Sequence, residues 1–82
     1  MSAETASSTS VAEIFIPLLN EGTDVVRPTN GLLLGGNEFQ VLATPNYDPN
    51  DEEWEFPPGS KVRCVRESRS GREVLVARQR IA

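Results

Sequence analysis

Residues 12–19 read AEIFIPLL, and this alternation predicts a β-strand. Isoleucine or leucine occupies every second position from Ile14 to Leu18, a period of two that is typical of a strand with one buried face. Pro17 has no amide hydrogen to donate to a neighbouring strand. We therefore expect this strand to lie at a sheet edge, or to be broken by a bulge at Pro17.

Turn sequences follow this strand at short intervals and divide the chain into further strands. Residues 20–23 (NEGT), 35–37 (GGN) and 68–72 (SRSGR) are rich in turn-forming residues. Asn30-Gly31 is the dipeptide that most favours a type I′ hairpin turn, because both residues tolerate a positive φ. The remaining predicted strands are 25–29, 32–34, 38–43, 61–67 and 73–81.

This succession predicts an all-β fold. No window of ten residues shows a capped helical period, although a single helical turn is possible at 48–53. Five or six short antiparallel strands form most economically a strongly bent sheet that closes into a small barrel and hides its edges. We expect an SH3-like barrel, with an OB-like barrel as the alternative. Residues 11–82 would form this single domain, after a disordered tail over residues 1–10.

The most unusual segment is the seventeen-residue stretch 44–60, TPNYDPNDEEWEFPPGS. Loops of this length are uncommon in compact domains and usually carry function or are disordered. Its aromatic residues argue against disorder, because disordered segments lack large apolar side chains. One interpretation is that Trp54 and Phe56 cover an end of the barrel. The other, which we adopt as the functional prediction, is a surface for a protein partner. That surface would comprise Glu21, Thr23, Asp24, Tyr47, Trp54 and Phe56.

The same loop offers a possible cation site. Asp48, Asn50 and Glu52 have the one-three-five spacing of an EF-hand loop. Glu53 stands at the sixth position, however, where that loop requires glycine, and no helices are predicted on either side. A solvated acidic loop that keeps the protein soluble is the alternative.

Charge is divided unevenly along the chain. Residues 1–56 carry a net charge of −9 and residues 57–82 a net charge of +5, giving −4 for the whole chain. The basic C-terminal hairpin suggests an alternative function in nucleic-acid or ribonucleoprotein binding. The overall negative charge and the lack of an aromatic residue in this hairpin oppose that function, and pairing with Glu52, Glu53 and Glu55 would explain the arginines equally well. The candidate nucleic-acid patch comprises Lys61, Arg63, Arg66, Arg69 and Arg72.

The residue inventory argues against an enzyme. The chain has no histidine, which removes the commonest general base and metal ligand. Cys64 is the only cysteine and alternates with charged neighbours, as expected of a small core residue. We therefore expect no disulfide, no metal and no cofactor, and a cytoplasmic location. The apolar runs are also too short to cross a membrane.

Two segments resemble a group of small uncharacterised bacterial proteins. LLNEGTDVVRP (residues 18–28) and YDPNDEEWEFPPGSKVRC (residues 47–64) match their EGTDVxRP and DEEWEFPPG-like segments in the same order. This chain has Val26 where such proteins often carry an aromatic residue, so no aromatic site is expected there. The resemblance implies a bacterial protein and a shared fold, with no known activity. Together these observations predict a non-catalytic protein-interaction module.

Overall fold

Six β-strands and no helix make up the regular structure of the described residues, 10–22 and 24–81, in the computed structural model. The predicted tail, except Ser10, lies outside these residues. No helix long and apolar enough to span a bilayer occurs in the described part of the chain. The strands are β1 (Val11–Leu19), β2 (Val26–Gly35), β3 (Glu38–Val41), β4 (Glu53–Trp54), β5 (Lys61–Arg69) and β6 (Arg72–Arg80).

Five of these strands close into a ring. β1 pairs with β2, β2 with β3, β3 with β5 and β5 with β6, all antiparallel. β6 then pairs with β1 in parallel, through Phe15 and Val76. This closure is parallel because five strands that alternate in direction begin and end pointing the same way. The predicted all-β barrel of five to six strands is confirmed, but the expectation of antiparallel pairing throughout is wrong at this closure.

The ring follows the order of the chain, which differs from the Greek-key order of an OB-fold. The short strand β4 lies outside the ring and extends it. Leu18 of β1 pairs with Trp54, and Leu19 pairs with Glu53. Through this pairing the long loop returns to the barrel and delivers its aromatic residues to the interior.

Asn30 and Gly31 lie in the middle of β2 and form no turn, so the predicted type I′ hairpin at this dipeptide is wrong. Gly31 pairs with β1 on one side and with β3 on the other. A Cβ atom at Gly31 would lie 2.8 Å from Ile14 Cδ1 and 3.1 Å from Phe39 Cβ. The glycine therefore allows close packing on the inner face of the barrel, and its conformation is that of a strand.

The predicted turns at 35–37 and 68–72 are confirmed, whereas the turn predicted at 20–23 includes Thr23, which lies outside the described residues. The chain reverses at Gly36-Asn37 and again at Ser70-Gly71, where φ is 53° for Ser70 and 79° for Gly71. Two consecutive residues with positive φ between paired Arg69 and Arg72 are the signature of a type I′ hairpin. The turn type predicted for Asn30-Gly31 thus occurs at Ser70-Gly71.

Pro17 is buried within β1, where this strand exchanges one partner for another. Phe15 pairs with β6, whereas Leu18 pairs with β4. The Pro17 carbonyl faces the same side and accepts a hydrogen bond from the Glu55 amide at 2.9 Å. Pro17, which has no N–H to donate, therefore lies where β1 changes partner from β6 to β4. The prediction that this strand lies at a sheet edge or is broken by a bulge at Pro17 is wrong.

The barrel interior of the described residues is a single apolar cluster with contributions from five of the six strands and from the long loop. Ile14, Ile16 and Leu18 face inward as the alternation in β1 predicts, and so do Val62 and Cys64 in β5. The buried cluster comprises Ile14, Ile16, Leu18, Phe39, Val41, Trp54, Phe56, Val62, Cys64 and Ala77.

Candidate functional site

Trp54 and Phe56 belong to the core of the barrel. Only 4% of Trp54 and 5% of Phe56 is exposed. The prediction that these two residues form an exposed docking surface is therefore wrong, and they cover an end of the barrel instead. The physical reason is size, because so small a domain has few large aromatic side chains and gains most by burying them in its core.

Tyr47 is half-buried and lies edge-on to Trp54, with ring centroids 4.7 Å apart and ring planes at 67°. This is the favourable geometry for an aromatic pair. The inward position of Tyr47 leaves its polar neighbours Asn46 and Asp48 on the outer side of the loop. The aromatic residues of the loop thus act as anchors that hold its polar side chains in place.

These polar side chains form one wall of a groove of about 430 Å³ between β2 and the loop. A shallower depression of about 270 Å³ adjoins it and shares Pro28 and Thr44 with it. Glu13 and Asn30 line that depression. We call the larger feature the acidic groove. Its lining residues are Arg27, Pro28, Thr44, Asn46, Asp48, Asp51 and Glu52.

The groove exists because the chain leaves β2 soon after the end of β3. The Leu42 amide donates to the Asn30 carbonyl at 3.0 Å, and the Thr29 hydroxyl donates to the Leu42 carbonyl. Beyond Leu42 the chain turns away, with the Tyr47 amide bonded to the Thr44 carbonyl at 3.1 Å. The outer side of β2 next to Pro28 is therefore left open.

A short turn around Asp48 shapes the acidic end of the groove. The Asn50 amide donates to Asp48 Oδ1 at 2.9 Å, and the Asp51 amide donates to the Asp48 carbonyl at 2.9 Å. The Glu52 amide also reaches this carbonyl, at 3.2 Å. The possible helical turn at 48–53 is thus a hydrogen-bonded turn that does not continue as a helix.

Glu52 ties the groove to both β2 and the core. Its carboxylate accepts two hydrogen bonds from the Arg27 guanidinium and one from the Trp54 indole N–H, at 3.2 Å. The hydrogen bond from Arg27 is the main cause that lowers the pKa of Glu52, and the indole contributes in the same direction. Glu52 therefore carries its negative charge throughout the neutral pH range and fixes the width of the groove.

The groove has a negative charge balance. Asp48, Asp51 and Glu52 face a single cation, Arg27, which Glu52 already neutralises. Within the described part of the chain, neither Asp48 nor Asp51 forms a salt bridge. Arg27 is the groove residue that sequence reasoning missed. It was identifiable, because it is the only basic residue among the first 56 and had to find a carboxylate.

The predicted EF-hand-like trio does not converge on a common point. Asp48 accepts from the Asn50 backbone, and Glu52 is directed to Arg27. Among residues 10–22 and 24–81, no group of three or more metal-ligating side chains could hold an ion. The geometry therefore gives the cation-stabilised loop no support.

The predicted contact residues from the first turn are divided between two places. Glu21 is exposed and close enough to Arg27 to help raise the pKa of its guanidinium, after Glu52, which is the main cause. Asp24 instead bonds Arg69 at 2.7 Å. Thr23 lies outside the described residues. Only Glu21, through its charge, belongs with the acidic groove.

Most arginines of the predicted nucleic-acid patch are paired within the chain. Arg63 bonds Glu38 at 2.8 Å, because the two stand opposite each other in the register of β3 and β5. The prediction that these arginines pair with Glu52, Glu53 and Glu55 is wrong, because carboxylates on adjacent strands lie closer to the guanidinium groups. The remaining contacts are Arg66 with Glu73, Arg69 with Asp24 and Glu67, and Arg72 with Glu13. Lys61 is exposed and has no salt bridge among the described residues.

Cys64 is buried on the inner face of β5, with 1% of its surface exposed. Burial raises the pKa of its thiol to about 11. The thiol therefore stays protonated at neutral pH, and a reactive cysteine needs the opposite, a lowered pKa and access to solvent.

Comparison with protein-family models, with curated proteins and with solved structures finds no match to this chain. The resemblance of residues 18–28 and 47–64 to a group of small bacterial proteins therefore stays a prediction. The candidate site depends on its own geometry and charge.

Proposed function

We propose that this protein is a non-catalytic interaction module that binds a basic segment of a partner protein in the acidic groove. The observation that carries the proposal is the groove itself, about 430 Å³ with three carboxylates and one already neutralised arginine. A partner with lysine or arginine side chains would complement this charge. Such complementarity increases the rate of association and excludes partners of the wrong sign.

The position of the carboxylates supports a bound segment rather than a single bound group. Asp48 and Asp51 line the groove, and Glu13, which contacts Arg72 at 3.6 Å, lines the adjoining depression across Pro28 and Thr44. An extended chain could therefore place successive basic side chains along one path. Pro28 also protects the open side of β2, because it offers no amide hydrogen to an added strand.

The absence of catalysis is part of the same proposal. The chain has no histidine, and the Cys64 thiol is buried with its pKa raised to about 11. The best placed carboxylate, Glu52, is held ionised by Arg27 and is thus a poor proton donor. A free buried cysteine is also compatible with the cytoplasm of a bacterium, which is the location we propose.

Nucleic-acid binding is less well supported as a function. Four of the five residues in the candidate patch are paired with carboxylates of the same chain, so this surface has little net positive charge to attract a polyanion. The acidic groove, whose charge is negative, is the better formed feature. A titration with mixed oligonucleotides at low salt should therefore show no saturable binding.

The groove can be tested by NMR titration with a short peptide of alternating arginine and glycine. A peptide with glutamine in place of arginine serves as the neutral counterpart. We expect the arginine peptide to shift the amide signals of Thr44, Asn46 and Asp51 and to lose affinity as salt is added. The glutamine peptide should leave these signals unchanged.

A matched pair of variants identifies the carboxylates responsible. Asp48→Asn with Asp51→Asn removes two charges from the groove, and asparagine keeps the Oδ1 acceptor for the turn. Glu55→Gln with Glu73→Gln removes two charges elsewhere. We expect the first pair to weaken binding at least about fivefold, the effect of about 1 kcal/mol, and the second to have little effect. Absence of binding to the wild type, or equal losses in both variants, would contradict the proposal.

A further inference from the structure

A second pocket, of about 260 Å³, lies on the outer surface of the barrel and shares no residue with the acidic groove. We call it the outer pocket. Arg72 of this pocket contacts Glu13 of the depression beside the groove, so the two sites are tested with different probes. Its lining residues are Phe15, Val26, Arg69, Ser70, Arg72 and Val74.

The floor of the outer pocket is apolar because β1, β2 and β6 each direct a hydrophobic side chain to the outside of the barrel. Ile14 and Ile16 face the core, so Phe15 between them faces outward. Val74 and Val76 of β6 are buried, with 8% and 0% exposed, yet neither belongs to the inner cluster. Phe15 pairs directly with Val76. A small apolar layer therefore exists outside the barrel wall.

The rim of the outer pocket carries two arginines, Arg69 and Arg72, and one donor of Arg69 is unused. Arg69 donates through Nη2 to Asp24 at 2.7 Å and to Glu67 at 3.4 Å. Its Nε is buried and finds no acceptor among the residues that the structure describes. A buried donor without a partner is rare in native proteins, so Arg69 has hydrogen-bonding capacity that its two carboxylates do not use.

Arg72 can move to meet a ligand. Its guanidinium lies 3.6 Å from the Glu13 carboxylate, and the side chains are 68% and 55% exposed. Ion pairs that exposed contribute little to stability. Arg72 can therefore turn toward the pocket at small cost, whereas Arg69 is held in place by Asp24 and Glu67.

We propose that the outer pocket binds a small monocarboxylate with an apolar body, such as an aryl or branched alkyl carboxylate. The apolar body would lie on Phe15, Val26 and Val74. The carboxylate would accept hydrogen bonds from the guanidinium groups of Arg69 and Arg72, which suit carboxylates in geometry and charge. The volume of about 260 Å³ is sufficient for a molecule of the size of phenylacetate.

Phenylacetate is the first probe, used in an NMR titration of the full chain. We expect saturable shifts of the amide signals of Phe15, Val26, Ser70 and Val74 with a dissociation constant in the millimolar range. Phenylacetamide has the same apolar body without the charge, and acetate has the charge without the body. Both should bind at least about tenfold more weakly, the factor that corresponds to about 1.4 kcal/mol.

Arg72→Gln and Arg66→Gln form a matched pair of variants. Arg66 and Arg72 are 67% and 68% exposed, and their ion pairs measure 3.7 and 3.6 Å, but only Arg72 lines the pocket. We expect Arg72→Gln to weaken phenylacetate binding about fivefold or more, in line with the loss of a charged hydrogen bond, and Arg66→Gln to leave it unchanged. Val26→Phe, which fills the pocket and keeps every arginine, should abolish binding.

Four outcomes would overturn this proposal: no saturable shift, shifts that map outside the outer pocket, equal affinity for the amide and the acid, or equal losses in the two arginine variants. Binding of phenylacetate with no response to the arginine peptide would support this pocket while contradicting the groove. Binding of the arginine peptide without binding of phenylacetate would support the groove and contradict this pocket.

Discussion

Gly31 determines how closely β2 approaches the opposite wall of the barrel. Its missing side chain leaves space that Ile14 and Phe39 fill, and both of these residues belong to the buried cluster. Cores of this density respond to the addition of a single methyl group. Asn30, its neighbour, is exposed and has no such constraint.

A pair of substitutions at these neighbours tests this packing. We expect Gly31→Ala to lower the free energy of unfolding by about 1–3 kcal/mol, because the new methyl group overpacks the inner face. Asn30→Val should change it by less than about 0.5 kcal/mol, because valine suits a strand. Chemical denaturation of the purified variants measures both. A large loss for Asn30→Val would instead indicate the tight turn that this dipeptide suggests in isolation.

The β5–β6 hairpin is the element with the most evident local strain and the most charge. Ser70 adopts a positive φ of 53°, although it has a side chain. On the strands themselves, Arg78 holds Glu67 through two hydrogen bonds of 2.6 and 2.8 Å. The turn and this ion pair act on the hairpin separately, so each can be tested alone.

Ser70→Asn should stabilise the hairpin. Asparagine adopts a positive φ at lower cost than serine, and Asn-Gly is the preferred type I′ sequence. We expect the free energy of unfolding to rise by about 0.5 kcal/mol, as measured by thermal and chemical denaturation. Ser68→Asn, two residues earlier within β5, is the control and should give no gain. Equal effects at both positions would mean that the turn conformation is not the cause.

Glu67 should make the stability of the protein depend on pH. The hydrogen bonds from Arg78 are the main cause that lowers the pKa of Glu67 in the folded state. The unfolded chain therefore binds this proton more readily, and the stabilisation is complete above the ordinary glutamate pKa of about 4.3. It is lost as the pH falls from there through the lower pKa of the folded state.

The variant Glu67→Gln isolates this effect. At pH 7 we expect it to be less stable than the wild type by up to about 1 kcal/mol, since both partners are partly exposed. The difference should shrink as the pH falls below about 4, where the wild-type carboxylate also loses its charge. Denaturation curves at several pH values measure it. A difference that is constant with pH would exclude the ion pair as its source.

At the scale of the whole molecule, the long loop and the barrel form one cooperative unit. Trp54 pairs with β1, packs in the core and donates to Glu52 of the loop. The loop cannot detach without removing a large side chain from the interior. A domain of this size usually unfolds in a single transition.

Trp54 fluorescence should therefore report the unfolding of the entire barrel. We expect its denaturation curve to coincide with that of the far-ultraviolet circular dichroism, and the indole of the folded protein to be shielded from soluble quenchers. Tyr47→Ala should lower both midpoints together, because an aromatic contact is lost. A fluorescence transition that precedes the dichroism transition would show that the loop opens independently.

Alternation along the chain was sufficient to predict β1, β3, β5 and β6 and their inward residues, but it divided β2 in two and missed β4. Ile14, Ile16, Val62 and Cys64 face the core as predicted, because the side-chain period of a strand is a local property. The turns at Gly36-Asn37 and Ser70-Gly71 were predictable for the same reason, since turn chemistry depends on adjacent residues. The sequence by itself therefore determined the fold class and the non-reactive character of the only cysteine.

The tertiary structure decided which alternative each ambiguous segment adopts. Asn30-Gly31 became strand because two neighbouring strands pair with it and Ile14 occupies the space beside it. Trp54 and Phe56 became core because the pairing of β4 with β1 brings them against the apolar cluster. The pairing of the arginines and the position of the acidic groove depend on which strands lie side by side. These contacts join residues far apart in the chain, so they cannot be predicted from local sequence patterns.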